Sequence, residues 1–215
     1  MREDGPVGLL LAGGRGSRFD ASGHRDKLLA RFDGKPVAAR AARTLASVCR
    51  RVFAVLPPGK PELLATLSEA GCEPLVTEAT RLGMGHSIAF GAARIIERCQ
   101  PSVVVIALGD MPALHAETIA QLIEAALAEP HSIVAPTFAG RRGHPVVFDA
   151  VHLPALCQLD GDRGAAIVLE RHPPRLVAVD DPGVLQDIDT PGDLGSDASH
   201  GSMDRRRDTP DAHQS

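Results

Sequence analysis

The sequence predicts an α/β protein: a single doubly wound, mostly parallel sheet with helices on both faces. Three observations carry this. Short unbroken apolar runs at residues 7–12, 52–56, 103–108 and 133–135 are rich in branched residues and stop at Gly, Pro or polar groups. Strands buried on both faces read this way. Helical patterns at 36–48, 61–70, 86–98 and 116–128 lie between or after them, joined by connections of a few residues. Such alternation implies right-handed βαβ crossovers, and ligands of such sheets gather beyond the carboxyl ends of the strands.

The clearest helix is 116–128, with Ile119, Leu122, Ile123, Ala126 and Leu127 at helix-face spacing and Pro130 just past its end. Regularity weakens after residue 135. A short strand at 145–148 follows a basic turn, then come a helix at 164–171, a strand at 175–179 and a last helical turn at 190–194. In that turn Thr190 before Pro191 suits an N-cap followed by proline. No internal repeat is visible.

At 215 residues the chain holds one domain, or one with an appendage. We place the domain at 1–194 and read 195–215 as a disordered polar tail. That tail has no Val, Ile, Leu or Phe, and its Arg205-Arg206-Arg207 cluster is offset by Asp204 and Asp208. A net charge of −4, with six Phe and neither Trp nor Tyr, leaves no basic footprint and no stacking platform for a nucleic-acid polymer. The four cysteines are dispersed with no C-x-x-C pair, and the acidic start does not read as a secretory signal. No apolar run approaches the ~18 residues of a membrane span. The expectation is a reduced, cytoplasmic protein that contacts neither membrane nor nucleic acid.

Chemistry concentrates where the strands end. The first runs into Gly13-Gly14-Arg15-Gly16-Ser17-Arg18, with Lys27 nine residues beyond Arg18. Glycines let backbone N–H groups approach a phosphate chain, and Arg and Lys supply charge for it. Neither the dinucleotide fingerprint nor the P-loop pattern is present. Asp110 follows the run 103–108, where a hard carboxylate facing a phosphate-binding turn suits Mg²⁺ and equally suits a helix cap. Asp187-Ile188-Asp189-Thr190-Pro191 offers a further carboxylate with the same two meanings.

Leu11-Ala12-Gly13-Gly14-Arg15-Gly16-Ser17-Arg18, then Lys27-Leu28-Leu29, then Leu108-Gly109-Asp110-Met111-Pro112 resembles the MobA-like nucleotidyltransferase superfamily. Its members build a nucleoside diphosphate linkage from an NTP and a phosphorylated acceptor. Leu82-Gly83-Met84-Gly85-His86-Ser87, Arg142-Gly143-His144-Pro145-Val146 and Gly161-Asp162-Arg163-Gly164-Ala165 resemble the molybdenum cofactor cytidylyltransferase branch. Asp187-Ile188-Asp189-Thr190-Pro191-Gly192-Asp193-Leu194 fits as well, so the likeness spans 7–194. It implies a Rossmann-like nucleotidyltransferase fold and Mg²⁺-dependent transfer of CMP from CTP to the phosphate of molybdopterin or molybdenum cofactor.

The same resemblance implies the site. Arg18 and Lys27 would hold the β- and γ-phosphates, and Asp110 with Asp189 would hold Mg²⁺. Leu11, Ala12, Gly13, Gly14, Arg15, Gly16 and Ser17, with Gly83, Gly85 and Ser87, would line the nucleotide. Arg142, His144, Gly161, Asp162 and Arg163 would face the acceptor, and a molybdoenzyme would receive the product. Two features depart from the family pattern. The stretch 19–26 is longer than the usual compact R-[MF]-G-x-D-K form. The double glycine at 13–14 is familiar from guanylyltransferases, where cytidylyltransferases carry an alanine.

Guanylyl transfer to the same cofactor, nucleotidyl transfer to a sugar or polyol phosphate, and a non-catalytic nucleotide-binding accessory role are the alternatives. Gly85-His86-Ser87-Ile88-Ala89 only approaches a nucleophile elbow, no strand preceding its Ser. No H-E-x-x-H is present among the nine His. Met84 and Met111 read as pocket or core filling.

Overall fold

A computed structural model describes residues 5–14, 18–20 and 25–195. Arg15, Gly16 and Ser17 and the tail from 196 lie outside the described residues. The strands are β1 (Val7–Leu11), β2 (Arg31–Phe32), β3 (Lys35–Pro36), β4 (Arg51–Leu56), β5 (Glu73–Val76), β6 (Val103–Leu108), β7 (Ile133–Phe138), β8 (Arg141–Arg142), β9 (Val146–Asp149) and β10 (Arg175–Ala178). The α-helices are α1 (Val37–Ala46), α2 (Pro61–Glu69), α3 (Met84–Arg98), α4 (Ala116–Ala128), α5 (Leu153–Leu156) and α6 (Ala166–Arg171). Single 3₁₀ turns occupy Glu78–Arg81, Ala150–His152, Pro182–Leu185 and Pro191–Gly195.

The sheet runs β10-β7-β9-β6-β1-β4-β5, with β8 beside β7, and β2–β3 form a separate hairpin. β1 pairs in parallel with both β4 and β6, β4 with β5, and β7 with β10. β9 is antiparallel to both β6 and β7. The connection 139–145 is too short for the helical crossover that a parallel neighbour requires, so the chain turns back on itself. The mostly parallel, doubly wound sheet expected from the sequence is therefore present.

Side chains of the central strands alternate between two cores, because successive Cβ atoms point to opposite faces. Leu10, Ala54, Val105 and Val134 face α1, α2 and α4, which contribute Leu45, Leu63, Leu67, Ile119 and Leu122. Leu9, Phe53, Val104, Ile106 and Phe148 face α3, α5 and α6. Both faces are thus dry, which is why the strands read as continuous apolar runs.

The sequence pattern missed β5 for a physical reason. It is an edge strand with Pro74 at its centre, and of its four residues only Leu75 is buried. The short pieces β2, β3 and β8 have too few residues to show a period. Helix α3 starts before the expected 86, at Met84, because Gly83 takes φ +128° at the N-cap. At the last turn the Asp193 carboxylate accepts from Asp189 N, Thr190 N and Thr190 Oγ1. Asp193 caps backwards, where the sequence had suggested Thr190 capping forwards. These bonds hold the Asp193 carboxyl below the usual carboxylate range.

Candidate functional site

The site is assembled at the carboxyl edge of β1 and β6. Ala12 N donates to Val55 O (2.8 Å), carrying the ladder one residue past β1 before Gly13 leaves it. Gly109 N donates to Leu11 O (2.9 Å), and a Cβ at Gly109 would sit 3.1 Å from that same oxygen. A side chain here would have to push the end of β6 away from the end of β1 by a few tenths of an ångström. Asp110 is thereby set opposite the Gly13–Gly14 turn.

Two more carboxylates arrive on a strap crossing this edge. Ile188 N donates to Asp110 O (2.9 Å), and the Ile188 side chain is buried in the core. In extended chain the neighbours of a buried residue face the other way, so Asp187 and Asp189 turn toward Asp110. Asp110, Asp187 and Asp189 each offer an oxygen, and these atoms lie within 4.8 Å of one another. The strap is anchored upstream by Asp181, which is 1% exposed and accepts from His115 N (3.0 Å), Thr118 Oγ1 (2.7 Å) and Gly183 N (2.8 Å).

Opposing charge comes from the segment after the glycine turn. Lys27 Nζ lies 2.6 Å from Asp110 Oδ2 and 3.3 Å from Asp189 Oδ1, and Arg18 Nη1 lies 2.6 Å from Asp189 Oδ2. Burial pulls the Lys27 ammonium down, but the Asp110 and Asp189 carboxylates outweigh it and hold its pKa above the ordinary lysine value. Lys27 is cationic at every physiological pH. Asp110 Oδ1 is buried and finds no hydrogen-bond partner among the described residues. An orphaned carboxylate oxygen within a cluster of three is the donor set a hard divalent cation takes, so these residues fit one.

The long stretch between Arg18 and Lys27 is pinched at its base. Arg25 N donates to Asp20 Oδ2 (2.7 Å), Phe19 is buried in the core, and the Arg25 guanidinium sits 5.4 Å from the Phe19 ring centre. Leu28 N then donates to Asp26 Oδ1 (3.0 Å), starting the turn that carries Lys27. Arg18 and Lys27 both reach the carboxylates although the stretch between them exceeds the compact family form.

A cleft of about 360 Å³ joins these groups, walled by Leu11, Gly13, Gly14, Met84 and Leu108. Gly14 has open space where a Cβ would stand, whereas a Cβ at Gly13 would come 2.7 Å from Thr80 Cγ2. Gly13 thus makes room for Thr80 in this chain.

Other expected residues take different positions. Gly83 and Gly85 stand outside the cleft lining and press backbone-to-backbone on the turn at 160–161, Gly85 N donating to Gly161 O (2.8 Å). Ser87 is buried with its hydroxyl donating to Gly83 O (3.1 Å). From this α3 terminus it is Met84 that reaches the cleft. Gly161 and Asp162 therefore act as the counter-surface for α3, since a side chain at 83 or 85 would strike the turn's carbonyls.

Arg142, His144 and Arg163 line a second, apolar pocket of about 140 Å³ beside the cleft, sharing Leu11, Met84 and Leu108 with it. Arg163 pairs with Glu170. His144 N donates to Val184 O (2.9 Å), and a Cβ at Gly143 would collide with that carbonyl. The His144 Nδ1 is buried without a partner among the described residues. Burial, then the Arg142 charge, lower its pKa below the ordinary histidine value, with Asp110 and Asp187 opposing. Its imidazole is neutral at pH 7.

Sequence reasoning had not assigned Asp187, Asp181 or Thr80. The Asp-x-Asp alternation around a core Ile was the available signal for Asp187, while Asp181 and Thr80 gave none. Met84 at the pocket and Met111 in the core sit as expected. The cysteines are free, and no described helix is long and apolar enough to cross a membrane.

Three carboxylates, two cations and a glycine turn in one cleft make up the apparatus with which α/β enzymes handle nucleoside triphosphates. The chain belongs to the MobA-like NTP transferase domain family, whose match covers residues 8–176, and it is a nucleotidyltransferase by that membership. It is 31% identical over 198 residues to the nicotine blue oxidoreductase of Paenarthrobacter nicotinovorans, spanning 86% of this chain and 92% of that one. It is 30% identical over 195 residues to the molybdenum cofactor guanylyltransferase of Bordetella pertussis, spanning 87% and 94%. Among solved structures, Rv0371c of Mycobacterium tuberculosis H37Rv superposes with a TM-score of 0.76 at 26% identity, covering 90% of this chain and 96% of that one. A manganese complex of Rv0371c superposes at 0.70, with 24% identity and coverage of 87% and 95%.

Proposed function

We propose that this protein transfers CMP from CTP to the phosphate of molybdopterin or its molybdenum-loaded form, releasing pyrophosphate, in a Mg²⁺-dependent cytoplasmic reaction. The observation that carries this is the meeting of Asp110, Asp187 and Asp189 with Lys27 and Arg18 in one cleft at the strand ends. Both reactants are anions, so placement and charge compensation dominate the rate enhancement, with little for an acid or base to do. Asp110, Asp187 and Asp189 would hold Mg²⁺, which would supply compensation for the negative charge that builds on the phosphates. The manganese complex of the mycobacterial neighbour supports a divalent cation on this fold.

Lys27 and Arg18 draw the β- and γ-phosphates across the cleft and stabilise the departing pyrophosphate. Gly13 and Gly14 meet base and ribose through their backbone, and Met84 closes the same wall. Arg15, Gly16 and Ser17 also contribute to binding the nucleotide. On the acceptor side, Arg142 and Arg163 compensate the incoming phosphate. The apolar pocket beside the cleft takes the flat ring system of the acceptor, with His144 Nδ1 as a polar contact inside it. Gly161 and Asp162 keep that pocket open by bracing α3. A molybdoenzyme receives the product.

Guanylyl transfer to the same acceptor is the second reading, favoured by the Gly13–Gly14 pair and the Bordetella relative. Incubation with Mg²⁺, molybdopterin and each NTP in turn, with pyrophosphate as readout, separates the two. Release with CTP alone upholds the first and release with GTP alone the second. If no NTP gives release, or Asp110→Ala leaves it unchanged, both fall, and the redox chemistry named for the Paenarthrobacter relative becomes the activity to assay.

A further inference from the structure

We infer that Lys27 and Arg18 are resident counter-cations of the carboxylate triad, so that a divalent metal and the nucleotide enter cooperatively by exchanging places with them. This rests on the proposed assignment of Asp110, Asp187 and Asp189 as metal ligands.

The observations lie in which oxygens are taken. Of the two Asp110 oxygens, Oδ2 faces Lys27 at 2.6 Å and Oδ1 is buried without a partner among the described residues. Asp189 has one oxygen against Lys27 and the other against Arg18, at 3.3 and 2.6 Å. Three of the four oxygens on these two residues are thus engaged by cations. Against the three carboxylates of the cluster, the two cations leave a single net negative charge. A divalent ion entering alone meets a centre already largely compensated. A metal on Asp110 Oδ2 would stand within a few ångströms of the Lys27 ammonium, because Mg²⁺ coordinates at about 2.1 Å.

The backbone of Lys27 does not yield, since its turn is tied at both ends. Leu28 N is capped by Asp26, Leu28 is in the core, and Ala38 N donates to Leu28 O (2.9 Å). Only the flexible four-carbon side chain is free to swing. Arg18 is 77% exposed at its side chain and swings more easily. A triphosphate offers both cations several anionic oxygens, drawing them off the carboxylates and restoring the full triad to the metal. Linkage then requires that nucleotide raise metal affinity and metal raise nucleotide affinity by one factor. The same ammonium that compensates the carboxylates becomes the clamp of the bound triphosphate.

The test uses Mn²⁺ as probe, followed by its electron paramagnetic resonance signal, on the full chain without acceptor. Wild type, Lys27→Met, Arg18→Gln and Asp110→Asn are titrated with metal alone and again in the presence of α,β-methylene-CTP or α,β-methylene-GTP. Lys27→Met is expected to bind Mn²⁺ alone about tenfold more tightly than wild type and to lose most of the enhancement by nucleotide. Arg18→Gln, at an exposed position where folding is not at stake, moves the same way by a smaller factor. If both variants bind Mn²⁺ no more tightly than wild type while Asp110→Asn abolishes binding, the exchange is refuted and the metal site stands. If Asp110→Asn binds Mn²⁺ as wild type does, with and without nucleotide, the metal assignment falls and the exchange with it.

Discussion

Asp181 is outside the cleft, yet it decides where the strap carrying two of the three carboxylates runs. It is 1% exposed, and its carboxylate accepts from His115 N, Thr118 Oγ1 and Gly183 N, at 3.0, 2.7 and 2.8 Å. Asp181→Ala leaves three donors unmet at once. Hydrogen bonds to a charged acceptor are worth about 1.5–3 kcal/mol each, and removing the buried carboxylate returns part of its desolvation cost. A net loss of about 3 kcal/mol follows, or a Tm lower by roughly 6–12 °C for a domain of this size. Thr118→Val removes one of the three bonds and costs about 1–2 kcal/mol. With no Trp or Tyr in the chain, guanidinium unfolding followed by far-UV circular dichroism is the suitable assay. Asp181→Ala also weakens Mn²⁺ binding, because Asp187 and Asp189 lose their fixed approach to Asp110. A loss under 1 kcal/mol, or unchanged metal affinity, refutes the anchoring role.

Four further outcomes are expected. Asp110→Asn lowers pyrophosphate release by at least about 100-fold, and EDTA abolishes it in wild type until Mg²⁺ or Mn²⁺ is restored. Gly143→Ala forces a methyl into the Val184 carbonyl, costing about 1–3 kcal/mol in denaturant unfolding and displacing His144. His144 has a folded-state pKa below its reference of 6.5, so below about pH 6.5 the unfolded chain takes up a proton that the folded one refuses. Its contribution is complete above that pH and is lost as pH falls toward the folded value, and His144→Gln flattens unfolding free energy against pH in that window. Burial pushes the Cys49 and Cys72 thiols up to about 12, so under native conditions at pH 8 they stay unlabelled by a thiol reagent, while Cys157, less buried, reacts first.

Much of this molecule was legible because its central strands are buried on both faces. Residues 103–108 and 116–128 come out with the bounds the pattern gives, since burial on both faces or along one helical stripe writes itself into composition. The elements that stayed hidden are those whose existence rests on a neighbour. β5 is held by its ladder to β4 despite Pro74. The strand at 145–148 was legible, but its antiparallel direction follows only from the short 139–145 connection. Phe19 illustrates the same limit at the site. Nothing in the sequence shows that Phe19 is buried in the core, that Arg25 N donates to Asp20, or that Lys27 meets Asp110.

The sequence by itself determined the class of sheet, the strand edge where the candidate site lies and most of the charged residues that meet there: Arg18, Lys27, Asp110 and Asp189. Strand period and strand-end position are local properties, and they need no partner to be read. Only the tertiary structure decided that Asp187 completes the triad and that Lys27 sits between two of its members. It also decided that Gly83 and Gly85 serve the packing of α3 on the 160–161 turn. Each of these depends on distances between segments far apart in the chain, and such distances follow from how the two cores pack rather than from any stretch of residues.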